Sequence, residues 1–238
     1  MYTMQTFRFH GRANGSISSR CVFTAVTLLM FAVGICAQIA PAVVSLSSSS
    51  GSQGWILDGP EFLARAGAAM NGDCDLNGDG FTDLLIGATG AGPSDQGMAF
   101  VVFGSASGTA PPVSLNSAGL RMTGELSGDA AGASVACAGD VDADGFDDVL
   151  IGAPFADSPG LLNTGAAYLV YGGEMLPATL SLATSGMRIN GVVGNQKVGA
   201  VLAGGADING DGYADMVVTA PNFKIGRASC RERVCSTV

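Results

Sequence analysis

The chain is short of the residues on which much catalysis and nucleic-acid binding depend. Its 238 residues include one histidine, His10, close to the amino terminus. A Ser–His–Asp or Cys–His pair is therefore excluded from everything downstream of that segment. Basic residues are scarce, with 11 Lys and Arg against 20 Asp and Glu. Between Gln38 and Lys224 the counts are 5 basic and 19 acidic, a net of −14. Such a surface repels phosphate backbones and anionic bilayers and attracts cations, so no nucleic-acid partner is expected. No segment sustains a helical period. One long apolar run, Val22–Ala37, is sixteen residues and short for a membrane span. It follows Arg8, Arg12 and Arg20 with no acid among them, and Ile35-Cys36-Ala37 offers a small residue for cleavage before Gln38. Residues 1–37 thus read as a secretory signal peptide, with an uncleaved amino-terminal anchor as the alternative and no further membrane insertion.

Cysteine is the misleading count. Of six, Cys21 and Cys36 fall in the leader and Cys230 and Cys235 in the last residues. Cys74 and Cys137 remain, each just ahead of an acidic loop. Equivalent positions in successive repeats point the same way and are a repeat apart, so two free or buried thiols are expected rather than a bridge. The last fourteen residues, Ile225–Val238, change character, with Arg227, Arg231 and Arg233 close together. They resemble one reading frame of a sequencing adapter and are expected to be foreign to the fold. The alternative is a natural basic tail. The body is then 38–224, and Met216–Val218 are expected to lack outer pairing partners.

What the body does have is one acidic loop in three copies. They are Asp75-Leu76-Asn77-Gly78-Asp79-Gly80-Phe81-Thr82-Asp83, Asp140-Val141-Asp142-Ala143-Asp144-Gly145-Phe146-Asp147-Asp148 and Asp207-Ile208-Asn209-Gly210-Asp211-Gly212-Tyr213-Ala214-Asp215. Side-chain oxygens stand at loop positions 1, 3, 5 and 9, glycine at 6 and an aromatic at 7. A hard divalent cation takes six or more oxygens, and alternate side chains of a curled loop can converge on it. Position 6 must turn sharply, which glycine tolerates. Position 7 can offer its carbonyl. The candidate ligands are Asp75, Asn77, Asp79, the Phe81 carbonyl and Asp83; Asp140, Asp142, Asp144, the Phe146 carbonyl and Asp148; and Asp207, Asn209, Asp211, the Tyr213 carbonyl and Asp215. All are oxygen donors, which favours Ca²⁺, one per loop, over Zn²⁺, copper or Mg²⁺. Asp147, the extra carboxylate at position 8, is expected to be solvated. An EF-hand would need a Glu at position 12 and flanking helices. Position 12 is Ile86, Ile151 and Val218, and the flanks are β-branched and glycine-rich. Ordinary Asp-Gly turns would explain one loop, but not three carboxylates at position 9.

The loops are 65 and 67 residues apart, and their surroundings repeat with them. Gly97-Met98-Ala99-Phe100-Val101-Val102-Phe103-Gly104 matches Gly165-Ala166-Ala167-Tyr168-Leu169-Val170-Tyr171-Gly172. Trp55–Gly59 matches Leu120–Gly124 and Met187–Gly191. Each unit holds about four short strands between Gly, Ser and Asp turns. Four-stranded units at a fixed period read as blades of an all-β propeller, each blade a set of antiparallel strands.

These units resemble FG-GAP repeats, found in the amino-terminal propeller of integrin α chains and in bacterial surface proteins. Phe103-Gly104 stands at the FG and Tyr171-Gly172 replaces its Phe. The GAP is intact at Gly152-Ala153-Pro154 and altered at Gly87-Ala88-Thr89 and Thr219-Ala220-Pro221. The resemblance implies Ca²⁺ in the aspartate loops and a seven-bladed ring, of which the chain holds two full blades and part of a third. It implies a secreted or cell-surface protein acting in adhesion or interaction, with an extracellular protein or glycan as ligand. The alternatives are a non-catalytic module of a larger secreted hydrolase or lyase, and a structural spacer. No catalytic residues are expected within the body.

Overall fold

The computed structural model describes residues 57–105, 114–223 and the strand 234–237. The proposed signal segment 1–37 and most of the 225–238 tail lie outside the described residues. Within them, twelve strands form three sheets. The first sheet contains β1 (Ala66–Cys74), β2 (Asp83–Ala88), β3 (Met98–Val102) and β4 (Leu120–Thr123), paired antiparallel in that order. The second contains β5 (Ser134–Gly139), β6 (Asp148–Ala153), β7 (Ala166–Val170) and β9 (Met187–Asn190), again antiparallel throughout. These are the two four-stranded blades that the repeats imply. Ring closure lies beyond what three sheets can form.

Central strands account for the apolar runs. Every residue of β6 is buried, because both faces of the strand are covered. Tyr168 and Phe100, at equivalent places in β7 and β3, are fully buried and fill the two blades. Blade-to-blade approach is close enough to need glycine. A Cβ on Gly87 would run into the Gly132 carbonyl of the next blade, and one on Gly152 into the Gly199 carbonyl after that. Ser134 confirms the spacing by donating its hydroxyl to the Gly199 carbonyl at 2.7 Å.

Cys74 and Cys137 form a disulfide, contrary to the expectation of free thiols; their Cα atoms are 5.4 Å apart. Repeat spacing in sequence misleads here, because the first strands of successive blades converge. Asn71 of β1, Val135 of β5 and Ala203 of the third sheet line one groove. The cysteines are also not equivalent. Cys74 directly precedes its loop and Cys137 precedes its loop by three residues. The ladder is irregular next to each cysteine, between Asn71 and Cys74 and between Cys137 and Gly139, so strict alternation does not relate the two side chains.

A second departure is β8 (Thr179–Ser181), which leaves the second repeat and pairs in parallel with β4 of the first blade. Arg121 N–H donates to the Ala178 carbonyl at 3.1 Å and Leu182 N–H to that of Thr123 at 2.9 Å. Leu182 is buried in the same core as Leu120 and Met122. Upstream, Ser114 bridges Asp58 in the same parallel sense, and Leu115 N–H donates to the Asp58 carbonyl at 2.9 Å. The chain at Asp58 and the outer strand β4 are thus each stitched by the repeat that follows, which covers an edge that would otherwise be open.

The third sheet contains β10 (Leu202–Ala206), β11 (Asp215–Thr219) and β12 (Val234–Thr237). β11 does have an outer partner, since Met216 to Thr219 pair with Thr237 to Val234 of the tail. Main-chain hydrogen bonding is indifferent to side chains, and an open edge accepts an extended segment of almost any sequence.

Candidate metal centre

Each acidic loop joins the first two strands of its sheet: β1 to β2, β5 to β6 and β10 to β11. The conformation repeats faithfully. Gly80, Gly145 and Gly212 at position 6 have φ of 83°, 93° and 93°, the left-handed turn that the sequence requires there. Position 4 is left-handed too, with Gly78 at 69°, Ala143 at 59° and Gly210 at 80°. Sequence reasoning overlooked this second demand, because Ala143 meets it without being glycine.

Position 1 organises each loop. Asp75 accepts from Asp79 N–H at 3.1 Å and Gly80 N–H at 2.9 Å. Asp140 accepts from Asp144 and Gly145 N–H at the same distances. Asp207 accepts from Gly210, Asp211 and Gly212 N–H. These amides, Gly212 first, hold the exposed Asp207 carboxyl below the ordinary carboxylate range. Position 5 accepts from the N–H of the aromatic at position 7, as Asp79 to Phe81, Asp144 to Phe146 and Asp211 to Tyr213.

Position 9 is buried in all three loops, at Asp83, Asp148 and Asp215. Asp83 accepts from Leu76 N–H at 2.9 Å and Gly104 N–H at 2.8 Å. Asp148 accepts from Val141 N–H at 3.0 Å and Gly172 N–H at 2.9 Å. Asp215 accepts from Ile208 and Asn209 N–H. The glycine of the FG-like pair thus anchors position 9 in both complete blades. Burial pushes the Asp148 carboxyl up to about 6, opposed by the Gly172 and Val141 amides and reinforced by Asp142 and Asp144. Asp83 is raised by the same cause.

Carboxylate oxygens of Asp140, Asp142 and Asp148 lie within 4.8 Å of one another. An all-oxygen cluster of that size, with one carboxylate destabilised by burial and by its acidic neighbours, suits a divalent cation. In the other two loops position 3 is an amide. Asn77 Nδ2 donates to Asp79 Oδ2 at 3.1 Å and Asn209 Nδ2 to Asp211 Oδ2 at 2.9 Å. The aromatic side chains of Phe81 and Tyr213 are exposed, while Phe146 packs on Gly78 of the first loop.

Asp147 is half-buried and engaged rather than free in solvent. Its Oδ2 accepts from Asp75 N–H at 2.8 Å, and its own N–H donates to the Asp75 carbonyl at 3.1 Å. A sulfur of each bridged cysteine lies within 4.8 Å of its carboxylate. Both sulfurs are committed to the disulfide, so this grouping is no metal site. A further polar cluster lies at the other end of the second blade. Arg188 Nε sits 3.3 Å from Glu125 Oε2, which accepts from Tyr168 Oη at 3.0 Å. Arg188 Nε is buried and makes this ion pair without a hydrogen bond, and burial pushes the phenol up, so nothing in the cluster resembles a nucleophile and its base.

The raised Asp148 gives a pH dependence with a definite sign. Without cation, the folded chain keeps this proton to about pH 6, whereas the unfolded chain loses it near 3.8. Cation-free stability therefore falls as pH rises through that window. Cation binding needs the ionised carboxylate, so the stabilisation by Ca²⁺ should grow over the same window. Melts with and without Ca²⁺ at pH 5 and pH 7.5 should show the larger shift at the higher pH. Equal shifts would remove Asp148 from the site.

The FG-GAP repeat family model matches residues 66–102, 131–170 and 198–229. These are the β1–β3, β5–β7 and β10–β11 units, each centred on one acidic loop. The chain is 33% identical over 184 residues to integrin alpha-3 of Cricetulus griseus, covering 74% of this chain and 16% of that protein. It is 34% identical over 148 residues to integrin alpha-4 of Xenopus laevis, covering 61% and 13%. It is 32% identical over 183 residues to phosphatidylinositol-glycan-specific phospholipase D of Mus musculus, covering 75% and 21%. The chain spans about a fifth or less of these curated relatives.

Proposed function

We propose that this chain, which belongs to the FG-GAP repeat family, is part of a secreted or cell-surface β-propeller stabilised by Ca²⁺ and used in adhesion or ligand interaction. One observation carries the reading: the same oxygen-rich loop stands in the same conformation on three successive sheets. Asp75, Asn77, Asp79, the Phe81 carbonyl and Asp83 would hold one ion. Asp140, Asp142, Asp144, the Phe146 carbonyl and Asp148 would hold a second, and Asp207, Asn209, Asp211, the Tyr213 carbonyl and Asp215 a third. The ion neutralises carboxylates that otherwise repel and fixes each first hairpin. Extracellular calcium is millimolar, so sites of roughly 10⁻⁴–10⁻³ M would be filled. Ligand recognition falls to loops on the propeller faces. In this reading residues 1–37 direct export, 38–224 form the blades and 225–238 are foreign.

Similarity to the integrin alpha chains favours adhesion. Similarity to phosphatidylinositol-glycan-specific phospholipase D supports a second reading, a non-catalytic propeller module of a larger secreted enzyme. Solid-phase binding of the intact protein to matrix proteins and glycans separates the two. Retention in millimolar Ca²⁺ that is lost on chelation is expected. No retention under either condition would overturn the adhesive reading.

A further inference from the structure

We propose that Asp147 couples cation binding in the first two loops, so that they fill as one cooperative pair while the third loop fills independently. This rests on the calcium reading above. Asp147 is a positioning residue at loop position 8, and its N–H and carboxylate grip both main-chain groups of Asp75, at 3.1 and 2.8 Å. Asp75 is position 1 of the first loop, the residue whose carboxylate holds the Asp79 and Gly80 amides.

A second path runs alongside. Leu76 N–H donates to the Asp83 carboxylate at 2.9 Å, and the Leu76 carbonyl accepts from Gly173 N–H at 2.9 Å. The neighbouring Gly172 N–H donates to Asp148 at 2.9 Å. The two buried position-9 carboxylates are therefore linked through Leu76 and one glycine pair. The two loops also pack closely on one another. A Cβ on Gly78 would meet the Phe146 ring at 2.6 Å, and one on Gly172 the Leu76 carbonyl at 2.8 Å. Ordering of the second loop by a cation fixes Asp147 and hence the Asp75 backbone, so less freedom remains to be lost when the first loop fills.

The junction between the second and third loops is an internal control. Ala214 N–H donates to the Asp140 carbonyl at 3.1 Å, the same main-chain bond, but Ala214 has no carboxylate for the Asp140 N–H.

Gly80, Gly145 and Gly212 each donate to a position-1 carboxylate, so their amide NMR shifts report the three loops separately. Calcium titration of the full chain should give a Gly80 midpoint that weakens about 5-fold or more in Asp144→Ala, within the usual range of coupling. In an Asp147→Ala background, Asp144→Ala should no longer move it. Asp147→Asn, which keeps an acceptor for the Asp75 N–H, should retain the coupling. Asp211→Ala should leave Gly80 unmoved. If Asp147→Ala does not fold, Ala214→Asp provides the converse, making the Gly145 midpoint respond to Asp211→Ala. A Gly80 midpoint indifferent to Asp144→Ala overturns the coupling, and one equally responsive with Ala at 147 overturns the role of Asp147. No calcium response at any of the three glycines in the wild type overturns the calcium reading and the coupling with it.

Discussion

Stripping divalent cations from the intact protein should lower its melting temperature by roughly 5–10 °C for each site emptied, and millimolar Ca²⁺ should restore it. The magnitude follows from linkage. A ligand bound by the native state alone, at about 100 times its Kd, adds about 2.7 kcal/mol. For a body of this size 1 kcal/mol moves the melting temperature by roughly 2–4 °C. The physical source is charge. Carboxylates at positions 1, 5 and 9 of one loop, joined in the second by Asp142, are held together by backbone amides. Those amides orient them but leave most of their mutual repulsion in place. Differential scanning calorimetry in chelator and in Ca²⁺ decides the matter, and superimposable traces would sink the cation's structural role.

Replacing Cys137 by Ser, or Cys74 by Ser, should cost about 4 kcal/mol. The bridge joins residues 63 apart in sequence, and closing a loop of that length removes roughly this much chain entropy from the unfolded state. A fall in melting temperature of roughly 8–16 °C follows. Reduction of the wild type should reproduce it, and peptide mass mapping should recover the Cys74–Cys137 pair. A Ser variant that melts within 1 °C of wild type would mean that the inner strands hold together without the link. The bond joins β1 to β5, so its loss should loosen the seam between blades before it loosens either sheet.

Much of this architecture was legible in advance because it is periodic. Three loops at near-constant spacing, each followed by an apolar run, located β2, β6 and β11 and the residues around each cluster. The features that escaped detection depend on one repeat meeting another. Cys74 and Cys137 looked a repeat apart because sequence spacing carries no record of inner strands converging. Asp147 looked like a solvated charge, since nothing within its own loop employs it; its partner is Asp75 of the preceding loop. Thr179–Ser181 carries no strand signature, being three residues in a turn-rich stretch, and it forms a strand because β4 has an open edge. Ala143 concealed a left-handed position that Gly78 and Gly210 mark openly, and comparison of the three loops at position 4 would have revealed it.

The parallel pairing of β8 with β4 also decides where this polypeptide can be cut. The period in the sequence suggests that a piece ending at Gly172 would contain a whole first blade. Such a piece would lose Ala178–Leu182, exposing the main chain of β4 and leaving Leu120 and Met122 without Leu182 beside them. The first blade is completed only by a segment about sixty residues downstream of β4, after the next blade's third strand has been laid down. During synthesis the growing chain therefore carries an unfinished β4 edge until that segment emerges, and a ribosome stalled before it would present the edge to other nascent chains.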